Sequence, residues 1–128
     1  EQSPLAIALD EELIGVNPSN FGNQLLDSTK PPYIILKPSL LGGLSEAKKW
    51  LDLAEQKNIG WWMTSALESN VGLNAIAQFT YDQNVKMPQG LGTGSLYTNN
   101  VESPLYIEAE FIHHNYQQKQ WTIQPILK

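Results

Sequence analysis

Charged side chains follow two apolar runs of this sequence, and their types suit the binding of a metal ion or an anion. Asp10 and Glu11 follow the first run, PLAIAL. Paired carboxylates can bind a hard cation such as Mg²⁺ through oxygen, but they can also begin a helix, because negative charge is favoured at a helix N-terminus. Neighbouring strand residues face opposite sides, so only one of the two can enter a site. Asp10 is the predicted ligand, and Glu11 is predicted to lie behind it.

Lys37 ends a second run, which is apolar from Tyr33 to Leu36 and is typical of a strand buried on both faces. An ammonium at such a position can reach water along its alkyl stem. It can also face a substrate anion or carry a proton, because burial tunes its pKa. Pro38 follows at once and restricts the backbone in a way that would aim the lysine side chain.

Hydroxyl groups crowd the end of a third run, IGWWMTS, where Thr64, Ser65, Glu68 and Ser69 lie close together in sequence. No histidine lies near them in sequence, so a serine nucleophile has weak support. A site in which hydroxyls and backbone N–H groups bind a carboxylate is more consistent with these residues. Ser69 is predicted to cap the helix that follows.

Two other motifs are weaker candidates for chemistry. GLGTG (90–94) has the look of a nucleotide loop, but the dinucleotide pattern requires a glycine where Ser95 stands and an amphipathic helix afterwards. His113 and His114 are neighbours in a predicted strand and therefore face opposite ways. A shared metal is not predicted for them.

A repeat of strand and helix must position these residues. Four apolar runs end at Asp10, Lys37, Ser65 and Leu91, at intervals of 27, 28 and 26 residues. About that many residues make a strand, a loop and a three-turn helix, so the pattern predicts a parallel sheet with right-handed crossovers. Ligands bind at the carboxyl ends of such strands, and the four ends are predicted to converge on one rim.

The segments between the runs have the period of helices. The first is predicted to start at Asn17 or Ser19 and to stop before Pro31. Ser45 is the predicted cap of the second, and Ser69 or Asn70 that of the third. The second and third carry apolar stripes: Ala47, Trp50, Leu51 and Ala54 in one, and Leu73, Ile76, Ala77 and Thr80 in the other.

Composition excludes several functions. The chain of 128 residues has a net charge of −5, and its eight basic residues are scattered, which argues against nucleic acid or an anionic membrane as partner. There is no cysteine, so disulfides and thiolate chemistry are excluded, as expected for a protein of the cytoplasm. The sequence starts at Glu1 without an initiator methionine, and we expect a fragment.

Taken in their order along the chain, the four predicted strand ends resemble those of the o-succinylbenzoate synthases, which are dehydratases of the enolase superfamily. The segments that carry the resemblance are AIALDEEL (6–13), ILKPSLLGG (35–43), TSALESNVGL (64–73) and PQGLGTG (88–94). The resemblance implies an α/β fold, the C-terminal half (strands five to eight) of a TIM-like (β/α)₇β barrel over residues 1–104. Residues 105–128 would then be a tail packed on the barrel or on a capping domain. Independently of the resemblance, SPLYIEAEFIHH (103–114) alternates, with Ile107, Ala109 and Phe111 on one face, which predicts one half-buried strand there.

The resemblance also implies a role for each residue of the rim. Asp10 matches the third of three acidic Mg²⁺ ligands, and Lys37 matches a lysine that faces the enediolate intermediate formed from a small carboxylate substrate. The pocket around the succinyl group would be lined by Thr64, Ser65, Gly90 and Leu91. Glu68 and Glu11 would support these groups from behind.

The same resemblance places the family's acid–base lysine and two further metal ligands before Glu1. We therefore expect the chain to pair with a missing N-terminal half or with a copy of itself, because a half barrel exposes strand edges and an apolar interior.

Three alternatives remain open. A racemase or epimerase of the same superfamily, acting on N-acylated amino acids or dipeptides, would share Asp10 and Lys37. A second alternative is an inert half barrel that binds but does not turn over substrate. The third is a small open-sheet binding module, similar to flavodoxin, with five parallel strands.

Overall fold

The computed structural model describes residues 4–115, 117 and 121. Three parallel strands pair in chain order to form one sheet, and a separate antiparallel hairpin follows it. The sheet strands are β1 (Ala8–Leu9), β2 (Tyr33–Leu36) and β3 (Gly60–Met63). The helices are α1 (Asn23–Thr29), α2 (Pro38–Leu41), α3 (Leu44–Gln56) and α4 (Asn70–Tyr81), and the hairpin strands are β4 (Leu105–Glu108) and β5 (Phe111–His114).

The strand–helix repeat is confirmed for the first three runs, with Leu36 of β2 opposite Met63 of β3. The fourth run, predicted as a strand over 85–91, forms only one parallel bridge, between Thr64 and Gly90. Pro88 explains part of this difference, since proline has no N–H to donate to a sheet. The chain therefore enters the sheet for a single residue on the far side of β3.

The helix starts show which capping predictions hold. The Asn17 side chain accepts hydrogen bonds from the amides of Ser19 and Asn20, at 2.9 and 3.3 Å, and so begins a π-helical turn that continues into α1. α1 ends at Thr29, before Pro31, as predicted. The predicted cap Ser45 is wrong by two residues, because α3 starts at Leu44 after Gly43.

One face of the sheet is buried against the helices. Ile34 and Leu36 of β2 are fully buried there, with Trp61 and Met63 of β3 beside them. The helices supply the predicted stripes, of which Ala47, Trp50, Leu51, Ala54, Leu73, Ile76 and Thr80 are buried. Removing these apolar side chains from water is the main term that stabilises the fold.

The segment 103–114 was predicted as one strand with Ile107, Ala109 and Phe111 on a half-buried face. That prediction is wrong, because Ala109 and Glu110 adopt left-handed backbone conformations and turn the chain into the β4–β5 hairpin. Ile107 and Phe111 are exposed. The rest of the predicted tail, 115–128, lies largely outside the described residues. None of the described helices has the length and apolarity needed to cross a bilayer.

Candidate active site

The face of the sheet opposite the helices carries three of the predicted site residues, Asp10, Lys37 and Thr64, at its carboxyl end. Side chains alternate along β2, so Tyr33, Ile35 and Lys37 share this open face, while Ile34 and Leu36 point to the helices. Continuing the register of the sheet places Asp10 beside Ile35, and Thr64 beside Lys37. The open face of the sheet therefore ends in a rim of polar groups.

Asp10 and Lys37 meet directly on this rim. The Lys37 Nζ atom donates to Asp10 Oδ2 at 2.7 Å, although the two residues are 27 positions apart in sequence. The Lys37 side chain is 20% exposed and the Asp10 side chain is 32% exposed, so the pair is accessible from the open face. The convergence of the first two strand ends is thus present in the structure, with a cation and an anion in contact.

The carboxylates after Asp10 are arranged differently from the prediction for Glu11. Glu11 is exposed in a 3₁₀ turn, whereas Glu12 accepts a hydrogen bond from the Asp10 amide at 3.0 Å. The backbone amides of Glu12 and Asp10 lower the pKa of the Glu12 carboxyl. The role of Glu11 behind Asp10 stays a prediction, and the residue that fixes the backbone of Asp10 is Glu12.

Asp10 has the chemistry of a ligand for a hard cation, since it offers a carboxylate oxygen at an accessible rim. Within residues 4–115, however, no three acidic or histidine side chains come together as a metal site. Asp10 therefore fits one position of an oxygen-ligand set, and further ligands would have to come from elsewhere.

Thr64 and Gly90 join the third and fourth segments of the rim. Thr64 Oγ1 donates to the Gly90 carbonyl at 2.7 Å, and the Gly90 amide donates to the Met63 carbonyl at 2.8 Å. A Cβ atom at Gly90 would lie 2.8 Å from Thr64 Oγ1, so only glycine allows this close approach. Gln89 adds a third hydrogen bond between these segments, because its side-chain oxygen accepts from the Met63 amide at 2.7 Å.

Ser65 and Leu91 are buried rather than exposed on the rim. Ser65 is 5% exposed, and its hydroxyl lies 2.5 Å from Thr93 Oγ1 and accepts from the Leu67 amide at 3.2 Å. The Leu91 side chain is buried in the core. The assignment of Thr64, Ser65, Gly90 and Leu91 to a substrate pocket stays a prediction, and for Leu91 it concerns the backbone alone.

Glu68 lies behind the rim with both carboxylate oxygens buried and without a hydrogen-bond partner among the described residues. Burial raises the pKa of this carboxyl, but the Ser39 hydroxyl, the backbone amides of Ala66 and Glu68, and the Ser65 hydroxyl lower it. The net pKa is below its usual value. The buried carboxylate is therefore charged at neutral pH.

Thr93 and Asn100 make contacts near the rim that were not predicted from the sequence. Asn100 Oδ1 accepts from the Asn70 amide at 2.8 Å, and its amide nitrogen donates to the Gly94 carbonyl at 3.0 Å. Asn100 thus caps α4, whose predicted cap, Ser69, occupies the right position without a side-chain bond. Only the abundance of polar residues in 93–100 could have signalled such ties.

The chain is similar in sequence to known bacterial proteins. It is 59% identical over 106 residues to an o-succinylbenzoate synthase of Desulfotalea psychrophila, a match that covers 83% of this chain and 28% of that protein. An o-succinylbenzoate synthase of Vibrio cholerae is 30% identical over 101 residues, covering 78% of this chain and 30% of the relative. No protein-family model matches the chain.

A solved structure agrees with these relatives. The crystal structure of MenC from Desulfotalea psychrophila superposes with a TM-score of 0.81 at 57% identity, over 86% of this chain and 31% of that one. The parallel sheet, its helices and its polar rim are therefore a segment of an enolase-superfamily barrel. Within that class, the chain is homologous to the C-terminal part of the o-succinylbenzoate synthases, as its motifs predicted, and it spans less than a third of their length.

Proposed function

We propose that the chain supplies the C-terminal part of the active site of an o-succinylbenzoate synthase. The reaction would be the Mg²⁺-dependent loss of water from 2-succinyl-6-hydroxy-2,4-cyclohexadiene-1-carboxylate, a lyase step of menaquinone biosynthesis in the cytoplasm. The observation that carries the proposal is the contact between Asp10 and Lys37 across two parallel strand ends, in a chain 59% identical to such a synthase.

Each of the two rim residues has a distinct task in this proposal. A metal ion bound to Asp10 and to ligands outside this chain would supply Lewis acidity toward the substrate carboxylate. The Lys37 ammonium stabilises the negative charge that develops when the proton next to that carboxylate is removed. The hydrogen bond between Thr64 and Gly90 keeps the third and fourth strand ends together beside this charge.

The rest of the barrel would complete the site. The open face of the sheet leaves Tyr33 36% exposed, and near β1 the side chains of Leu5 and Ile7 are 77% and 55% exposed. A cavity of about 710 Å³ lies at the amino ends of β1 and β2, and Leu5 and Ile7 form part of its lining. An N-terminal segment like that of the relatives, or a second copy of the chain, would cover this surface and remove it from water.

Turnover of the cyclohexadiene substrate tests the proposal. We expect no turnover by the chain alone or by Lys37→Ala, and Mg²⁺-dependent turnover once an N-terminal segment of a relative is added to the parent chain. Turnover by the chain alone, lost in Lys37→Ala, would show that the residues described here suffice. An N-acylated amino acid racemised faster than the diene is dehydrated would favour the racemase alternative.

A further inference from the structure

Two aromatic side chains, Tyr33 and Trp62, lie on the open face of the sheet, and the proposed reaction gives neither of them a task. Trp61 and Met63 are buried against the helices, so the alternation of β3 places Trp62 on the opposite, open face. Trp62 stays partly exposed there. Tryptophan is highly buried on average, and an accessible apolar surface bordered by polar groups is typical of an interaction site.

Gly60 allows the two rings to support each other. Tyr33 is the partner of Gly60 in the sheet, and a Cβ atom at Gly60 would lie 2.4 Å from the Tyr33 ring. The tyrosine ring therefore occupies the space that a side chain at this position would fill. Trp62 is the next residue of β3 on the same face, and the two ring centroids are 6.0 Å apart. Tyr33 thus supports the indole from the side of the amino ends and leaves its other side toward the rim.

The register of the sheet divides the site into a charged half and an apolar half. Asp10, Ile35 and Trp62 lie in one row across the three strands. Since neighbouring strands are about 4.8 Å apart, the backbones of Asp10 and Trp62 are separated by about 10 Å. Lys37, one row nearer the carboxyl end, donates to Asp10, so its ammonium leans toward β1 and away from β3. The indole and Ile35 therefore form an apolar floor beside the ion pair.

Such a floor suits a ligand in which a flat apolar ring carries an anionic group. Aromatic rings gain from contact with one another beyond the burial of apolar area, and an indole offers a large flat surface for it. The proposed substrate has a six-membered carbocycle in which four carbons are sp² and which carries a carboxylate. In the product, the same ring is aromatic and planar.

We propose that Trp62 determines specificity for the substrate ring, which rests on its indole while the ring carboxylate lies toward Asp10 and Lys37. This inference rests on the proposed function and adds to it the residue that recognises the ring. Tyr33 and Gly60 hold the indole in place, and Ile35 extends the floor toward β1.

Nuclear magnetic resonance of this chain with Mg²⁺ tests the contact without reference to turnover, because the indole N–H of each tryptophan gives its own signal. One probe is o-succinylbenzoate, and the other is 4-oxopentanoate, which has the succinyl chain but no ring. We expect o-succinylbenzoate to shift the signal of Trp62 and to leave those of Trp50 and Trp61 in place. The ring-free probe should shift none of the three.

Substitutions in β3 then measure what the ring contact contributes. Trp62→Met keeps an apolar side chain without a flat ring, and it should weaken binding of o-succinylbenzoate about two- to tenfold while leaving that of 4-oxopentanoate unchanged. Trp62→Phe should restore most of the loss. Trp61→Met makes the same change on the helix side of the strand and should alter neither dissociation constant. Titrating the chain alone separates these effects from any change in association with an N-terminal segment.

A Trp62 signal that o-succinylbenzoate does not move would overturn the proposal, and so would a Trp62→Met variant that weakens both probes equally. Failure of o-succinylbenzoate to bind, with or without an N-terminal segment of a relative, would overturn it as well.

Two further outcomes separate this inference from the proposed function. Ring-dependent binding as expected, in a chain that does not turn over the diene when the N-terminal segment is added, would reject the proposed function and retain the role of Trp62. Turnover of the diene with kcat/KM unchanged in Trp62→Met would retain the proposed function and reject that role.

Discussion

Replacing Lys37 by methionine separates the electrostatic role of this residue from its contribution to stability. Methionine keeps much of the alkyl stem and removes the ammonium that contacts Asp10 at 2.7 Å. A hydrogen bond between charged groups contributes about 1.5–3 kcal/mol, and exposed ion pairs about 0.2–1 kcal/mol. Because the two side chains are 20% and 32% exposed, we expect a loss of about 1 kcal/mol in the free energy of unfolding.

The effect on catalysis should be far larger. Removing one preorganised group that stabilises developing charge lowers kcat about 10²- to 10³-fold. A protein with about 5–15 kcal/mol of stability stays folded after losing about 1 kcal/mol, so unfolding cannot account for such a decrease.

Two measurements on the same preparations decide this prediction. Urea denaturation gives the change in the free energy of unfolding caused by Lys37→Met. Turnover by the chain together with an N-terminal segment of a relative gives the change in kcat. Lys86→Met, at an exposed position, is the matched control and should change neither. A decrease in kcat below about tenfold would refute the stabilising role of the ammonium, since one such group normally contributes more. A loss of stability above about 3 kcal/mol would show that the ion pair behaves as buried.

Three further perturbations have defined outcomes. Gly60→Ala should lower the free energy of unfolding by about 1–3 kcal/mol in urea, because its Cβ atom would lie 2.4 Å from the Tyr33 ring. The lowered pKa of Glu68 means that its carboxylate stabilises the fold above the usual value of 4.5, and that this stabilisation is lost as pH falls through the lowered pKa. Glu68→Gln should therefore make the free energy of unfolding fall less steeply at acidic pH. Trp62→Ser, on the open face, should weaken self-association or binding of an N-terminal segment in sedimentation experiments.

Each of these outcomes has a control or a contrary result. Gly92→Ala, whose Cβ atom would lie 3.5 Å from Ile107, should change stability by under about 0.5 kcal/mol. An acid limb of Glu68→Gln that overlays the parent would contradict the lowered pKa. Unchanged association of Trp62→Ser would show that the open face is not the contact surface.

The strand–helix repeat could be predicted because the spacing of apolar residues and the turn residues between the runs are local signals. The stripe of α3 and the cap at Asn17 were confirmed because both depend on residues within a turn or two of each other. The site was predicted to the extent that parallel topology brings strand ends together, as the contact between Asp10 and Lys37 shows.

Features that depend on distant partners were not predictable. Asn100 caps α4 from 30 positions away, and no local pattern marks that bond. The predicted fourth strand forms only one bridge, because the hydrogen bonds around it come from the side chains of Gln89 and Thr64 rather than from a backbone ladder. The hairpin was missed because its turn uses Ala109 and Glu110 in left-handed conformations that these residues rarely adopt.

The placement of the tryptophans gives this protein an optical signal of its own. Trp50 is fully buried and Trp61 9% exposed, whereas Trp62 lies partly exposed on the open face, with its ring centroid 6.0 Å from that of Tyr33. Coverage of the open face would remove water from one of these three indoles and leave the other two unchanged. With Trp121→Phe to lower the background, a blue shift in emission would therefore report association directly, without any attached dye.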